Sequence, residues 1–339
     1  MKCLSCAELL IKSDTVKLSY SSQIIKFPIY LISSREKMKN INAASLITAI
    51  KTPYNAQGEI DLVTYDQLVA KQIAAGVDGI VVGGTTGEGH LLSWEEHLML
   101  IAHTVHQYSD KLIIVGNTGS NNTREAIKAT QNGFAMGMDA ALQINPYYGR
   151  TSMAGVAAHF NKVLDIGPAF IYNVPGRTGQ DLTPDLIEPL SKHKNFIGVK
   201  ECGGNERIAY YEKQGIACWS GNDDESYVGR HQFGSHGVIS VTSNVIPGLM
   251  RTLMDTQDSE LNERLQGLMK WLFCEPNPIA VNTTLMMTGA VEANFRLPYL
   301  ALTLEQRQVG FDLLAKIETA ELVGDKLALL KDSDFNYCS

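Results

Sequence analysis

Asn195-Phe196-Ile197-Gly198-Val199-Lys200-Glu201 carries one lysine at the end of an apolar run short enough to be a buried strand. If that strand belongs to a closed parallel barrel, Lys200 emerges at the carboxyl face, where such barrels keep their chemistry. An amine there attacks a carbonyl to form a Schiff base, provided its surroundings lower its pKa from about 10.4 towards neutrality. The competing reading of this segment alone is a surface lysine that closes a strand. Other polar clusters at the ends of other apolar runs decide between the two.

Short apolar runs alternate with helical patterns from Ser45 onward. The predicted strands are Leu46 to Ile50, Gly79 to Val82, Leu112 to Val115, Ala140 to Ile144, Ala169 to Tyr172, Phe196 to Lys200, Ile216 to Ser220 and Gly237 to Val241. Leu62 to Ala75, Trp94 to Tyr108 and Thr123 to Met136 show the three-and-four spacing of helices. Eight strands with intervening helices favour an α/β fold of the (β/α)8 TIM-barrel type over an open sheet, which usually has fewer strands. The tail from Leu261 to Leu330 keeps helical periodicity without strands and is interrupted at Glu275-Pro276-Asn277-Pro278 and Arg296-Leu297-Pro298. Its apolar faces around Trp271 and Met286 need covering, by packing or by oligomer contact. The expected organisation is a leader at 1–43, a barrel at 44–258 and a helical C-terminal region at 259–339.

The 339 residues, 45% hydrophobic and 19% charged, suffice for one large core, since single cores stop growing at roughly 250 to 300 residues. A net charge of -7 offers no basic face for nucleic acid, and no apolar stretch approaches the roughly 20 residues of a membrane-spanning helix. Six scattered cysteines do not read as a disulfide framework, although Cys3 and Cys6 form a Cys-x-x-Cys pair. The first forty or so residues are rich in serine and basic residues and poor in acids, as in an organelle transit peptide; an unaddressed leader is the alternative.

The strand ends are informative in order. Gly83-Gly84-Thr85-Thr86-Gly87-Glu88-Gly89 is a glycine-rich turn with two hydroxyls, able to hold a carboxylate or a phosphate on backbone amides, but it lacks the endings of nucleotide-binding loops. Strand alternation turns Tyr172 and Lys200 to the same side of neighbouring strands, so a phenol can relay protons to an imine; an amphipathic packing tyrosine is the alternative. Arg177, in the following loop, is a bidentate donor for a carboxylate or a loop-bracing ion pair.

Gly84-Thr85-Thr86-Gly87-Glu88, Asn145-Pro146-Tyr147-Tyr148, Tyr172 to Gly179, Gly198-Val199-Lys200-Glu201, Gly237 to Val241 and Glu275-Pro276-Asn277-Pro278 together resemble the dihydrodipicolinate synthase family of pyruvate-dependent class I aldolases. The resemblance runs from about Leu46 to the end of the tail. It is strongest to the plant form, because Trp94 stands where bacterial members commonly carry histidine and a leader precedes the barrel. It implies a plastid enzyme in which Lys200 forms a Schiff base with pyruvate, whose enamine attacks L-aspartate 4-semialdehyde, with no metal or organic cofactor. It further implies a hydroxyl relay of Thr85, Tyr172 and Tyr148, the last reaching the neighbouring subunit's site. Thr86, Ile239 and Gly221 would hold pyruvate, and Arg177 the semialdehyde carboxylate. Feedback inhibition by L-lysine is implied at Gly89, His90, Trp94, His97, Asn121, Glu125 and Tyr147, in a homotetramer built as a dimer of dimers; packing and solvation are the alternative for the three helical members, Trp94, His97 and Glu125. Three rivals stand beside this reading: a related lyase such as N-acetylneuraminate lyase, a zinc hydrolase using His90, His97, His103 and His106, and a pyruvate-binding or scaffolding barrel.

Overall fold

The computed structural model describes residues 15–20, 23–28 and 41–339. Eight parallel strands form a closed barrel in chain order: β1 Leu46–Ala49, β2 Gly79–Val82, β3 Ile113–Asn117, β4 Ala140–Ile144, β5 Ala169–Asn173, β6 Phe196–Glu201, β7 Cys218–Ser220 and β8 Gly237–Ser240, with β8 paired back onto β1. The expected (β/α)8 architecture is the observed one. Around it run α1 Leu62–Ala74, α2 Trp94–Tyr108, α3 Thr123–Met136, α4 Met153–Leu164, the single turn α5 Pro175–Thr178, α6 Pro184–Ser191, α7 Asn205–Lys213, α8 Asp223–Gln232 and α9 Pro247–Asp255.

Strand boundaries shift where helix ends compete for the backbone. Leu112 opens no strand, because its N–H donates to Tyr108 O at the end of α2. Ile216 donates to Tyr211 O in the same way at the end of α7, so β7 starts two residues later than expected.

Period-two alternation sorts each strand into two cores. Outward residues such as Leu46, Ile80, Ile114, Ile171 and Val199 pack under the helices, while Ile47, Val81, Val115, Leu142, Phe170, Tyr172, Trp219 and Ile239 fill the barrel interior. Trp219 is fully buried, meets Phe170 edge-to-face at 5.0 Å and donates its indole N–H to Ala44 O at 2.7 Å. It thereby plugs the amino end of the barrel. Gly237 lets β8 close onto β1, because a Cβ there would strike the Ser45 carbonyl.

Beyond the barrel, α10 Ser259–Trp271, α11 Ile279–Met287 and α12 Leu304–Leu314 complete the helical tail. Two short parallel strands, β9 Asn294–Arg296 and β10 Asn336–Cys338, correct the expectation of a strand-free tail. At three residues each they are too short to leave a period-two signature. Trp271 and Met286 are buried within this same chain, Trp271 donating to Gln306 O at 2.9 Å, so of the two expected covers packing is the one that buries them.

Most of the expected leader, with Cys3 and Cys6, lies outside the described residues. Within it, Thr15–Tyr20 pairs antiparallel with Gln23–Pro28, a ribbon that forms a unit by itself.

Replacing Trp219 by phenylalanine keeps a ring in the plug but leaves the Ala44 carbonyl without its donor. A loss of about 1–3 kcal/mol is expected, read as a lower denaturation midpoint with the barrel's circular dichroism retained.

Candidate active site

The carboxyl ends of the strands open into a cavity of about 660 Å³, and Lys200 stands in its wall. The β5–β6 register sets Tyr172 directly opposite Lys200, and the amine lies 4.4 Å from the centre of the phenol ring. Lys200 is only 6% exposed. Burial, with the Arg177 charge adding to it, pulls its pKa below the ordinary lysine value against the opposing pull of Cys202 and Asp223. The physical cause is that an ammonium loses its hydration there without gaining a paired carboxylate in contact. Burial acts oppositely on Tyr172, holding its phenol protonated well above the usual range.

Gly221 follows β7 and lines the same cavity. Any side chain there would press on Cys202 Sγ and come within 3.2 Å of Lys200 Cε, so the glycine makes room for the lysine. Thr85 and Thr86 line the opposite wall on the turn after β2. Thr86 is buried, and its Oγ1 accepts from Asn277 Nδ2 at 3.1 Å. The backbone carbonyl of Asn277 accepts from Arg177 Nη2 at 2.8 Å, which holds the exposed guanidinium at the cavity rim.

The seven residues expected to bind lysine also line this cavity, further out. Ser93 and Glu96 form a capping box that starts α2 at Trp94. One turn on, His97 stacks under Trp94 at 5.4 Å, buried, with burial pushing its pKa down to about 4. Gly83 admits that imidazole, since a Cβ would occupy its place. Glu125 sits in the first turn of α3 and accepts from Ser120 Oγ at 3.1 Å. His90 meets Tyr299 Oη at 2.8 Å, joining the turn after β2 to the C-terminal region.

Two expected site residues, Ile239 and Tyr148, do not line this cavity, the second having been expected to serve a neighbouring subunit. Ile239 does not line the cavity; the pleat of β8 turns it into the filled interior, fully buried beside Trp219. Tyr148 is 93% exposed, on a turn where its own φ is 66°, and lines a separate hollow of about 350 Å³ with Asn121, Thr123 and His159. Three of the four histidines of the zinc reading have separate partners: His103 pairs with Asp66 at 2.7 Å, His90 with Tyr299, and His97 lies under Trp94. Among the described residues no group of three or more His, Cys, Asp or Glu side chains converges as a metal-ligand set.

Sequence reasoning assigned no role to Asn277, Tyr299 and Cys202, which also line the cavity. The signal for Asn277 was its position between Pro276 and Pro278, a rigid turn that presents one amide. Nothing near Tyr299 in the chain pointed to the barrel mouth.

Residues 42–317 match the model of the dihydrodipicolinate synthetase family. Among curated proteins, 4-hydroxy-tetrahydrodipicolinate synthase 2, chloroplastic, of Triticum aestivum is 53% identical over 306 residues, covering 90% of this chain and 81% of the relative. 4-Hydroxy-tetrahydrodipicolinate synthase 1, chloroplastic, of Arabidopsis thaliana is 53% identical over 304 residues, covering 89% and 83%. Among solved structures, the chloride-inhibited dihydrodipicolinate synthase of Acinetobacter baumannii complexed with pyruvate superposes with a TM-score of 0.77 at 34% identity, covering 80% of this chain and 98% of its own. The Cyanidioschyzon merolae enzyme with lysine bound gives 0.76 at 30% identity, covering 81% and 98%. On sequence and fold together, the chain belongs to the dihydrodipicolinate synthetase family.

Proposed function

We propose that this protein is a 4-hydroxy-tetrahydrodipicolinate synthase, a lyase of the class I aldolase type that condenses pyruvate with L-aspartate 4-semialdehyde. The observation that carries this reading is the Lys200 amine, buried at the mouth of the barrel and facing Tyr172 from the neighbouring strand. Lys200 attacks C2 of pyruvate and loses water to give the protonated imine, which withdraws electrons so that the methyl group gives up a proton and becomes an enamine. The enamine carbon attacks the aldehyde carbon, whose oxygen takes up a proton. The substrate's own amine then adds to C2 and expels Lys200, closing the ring as 4-hydroxytetrahydrodipicolinate.

Tyr172 and Thr85 relay these protons with Tyr148 of a second copy. The exposure of Tyr148 outside its own cavity supports that reading, which makes a homo-oligomer, a tetramer as a dimer of dimers, the working form. Thr86 and Gly221 hold the pyruvate end, and Arg177 the semialdehyde carboxylate by a charge-assisted pair. The buried Ile239 lies under the site without a face on it. No metal or organic cofactor is called on by these steps. L-Lysine inhibits at the outer part of the cavity, where Glu125 meets its ammonium and Trp94 covers its alkyl chain. The chloroplastic wheat and Arabidopsis relatives support a plastid location.

Borohydride added with pyruvate should fix an adduct on Lys200, mapped by peptide mass. Half-maximal trapping should fall below pH 10.5, the value of an unperturbed lysine, because burial favours the neutral amine. Unmodified Lys200 with undiminished turnover, or turnover with N-acetylmannosamine but not with the semialdehyde, would sink the assignment.

Gly221→Ala should lower kcat/KM by about tenfold to a hundredfold with the fold intact, because its methyl group collides with Cys202 Sγ and crowds the lysine chain beside it. Glu125→Gln should raise the lysine concentration for half-inhibition by about tenfold while leaving uninhibited rates near wild type, in an initial-rate assay.

A further inference from the structure

Behind the turn that carries Thr85 and Thr86 lies an ion pair that no step above uses. Lys51, just past β1, and Glu88, at the close of the turn, are 1% and 0% exposed, and the Lys51 ammonium bonds the Glu88 carboxylate. Neither lines the cavity. From the C-terminal region, Asn282 Nδ2 on α11 donates to the same Glu88 oxygen at 2.6 Å. Lys51 is itself held at the backbone, its N–H donating to Asn244 Oδ1 at 2.9 Å, while Asn244 Nδ2 donates to Ala49 O at 2.8 Å.

Glu88 is not glycine, yet its φ is 55°. A left-handed residue with a long side chain persists only where the surroundings hold it. The turn is wound on this residue. Glu88 N–H donates to Thr85 O at 3.1 Å, Gly89 N–H to Gly84 O at 3.1 Å, and Leu91 N–H to Glu88 O at 2.8 Å. Gly87 lies so close to the end of β1 that a Cβ would stand 2.7 Å from Ile50 O. An apolar pair in this place would stabilise as well as buried charges do, but without fixing a direction; a charged pair with a second donor fixes one.

We propose that Lys51, with Asn282, is a positioning residue for the reaction: by fixing the Glu88 carboxylate it sets the Gly84–His90 turn that presents Thr85 and Thr86 to the substrate held on Lys200. This rests on the roles proposed above for those two threonines. The Lys51–Glu88 bond acts directly on the turn, whereas Arg177 is held by the Asn277 carbonyl and meets the turn only at one remove, through the Asn277–Thr86 bond.

The test is steady-state kinetics of Lys51→Met/Glu88→Gln, which leaves no unpaired buried charge, with thermal unfolding and borohydride trapping alongside. The variant should melt near the wild-type midpoint, yet show kcat lowered and the KM for pyruvate raised by about tenfold each, with the KM for L-aspartate 4-semialdehyde within twofold. Asn282→Ala, which keeps the ion pair and removes one donor, should show the same split more weakly, and it decides the matter if the double variant does not fold. Wild-type kcat and pyruvate KM in a folded variant would reduce the pair to a stability contact and overturn the proposal. Trapping on the wild-type chain separates the two failures. No Lys200 adduct there defeats the functional reading, whereas an adduct with unaltered variant kinetics defeats this inference only.

Discussion

A charged amine is poorly tolerated where Lys200 stands, and the reactivity of the site follows from that intolerance. The barrel is filled below it by Trp219, Phe170 and Ile239, so the lysine can reach solvent only through the cavity at the carboxyl face. Its alkyl chain rests where Gly221 omits a side chain, and its nitrogen faces the ring of Tyr172 rather than a carboxylate. Desolvation without a contacting counter-charge favours the neutral amine, the form that attacks a carbonyl. The neighbouring phenol is pushed the other way and keeps its proton until the reaction takes it.

The C-terminal region is part of this site rather than an appendage to it. Asn277 links Thr86 to Arg177, Tyr299 reaches His90, Asn282 reaches Glu88, and Arg296 pairs with Glu96 on α2 at 2.5 Å. Apart from the Asn277–Arg177 bond, which reaches the segment after β5, each ties a residue beyond position 270 to the turn or helix that follows β2. The turn after β2 thus carries both the threonines of the inner cavity and Gly89 and His90 of its outer part, and the tail braces it along its length. A continuous cavity with one shared wall gives a physical route by which occupancy of the outer part reaches the inner one.

Much of this was legible in the chain. Strand positions followed from short apolar runs, and the inward pairing of Tyr172 with Lys200 followed from counting alternate residues along two neighbouring strands. The helices α2 and α3 were placed to the residue, because Ser93 and Asn122 cap them by side-chain hydrogen bonds. What was missed failed for identifiable reasons. β9 and β10 are too short for a periodic signal. Lys51 and Glu88 were given no role, since nothing in the neighbouring residues announces that both are buried.

Periodicities within a few residues set the alternation of strands and helices, and with it the side of the sheet on which each strand-borne group stands. Tertiary structure alone decided which distant groups meet: Lys51 with Glu88, 37 positions apart, Thr86 with Asn277, 191 apart, and Glu88 with Asn282, 194 apart. Closure of the barrel and the return of the tail across its mouth create those contacts. Their energies come from burial that no local pattern records, so they become visible only once the whole chain is packed.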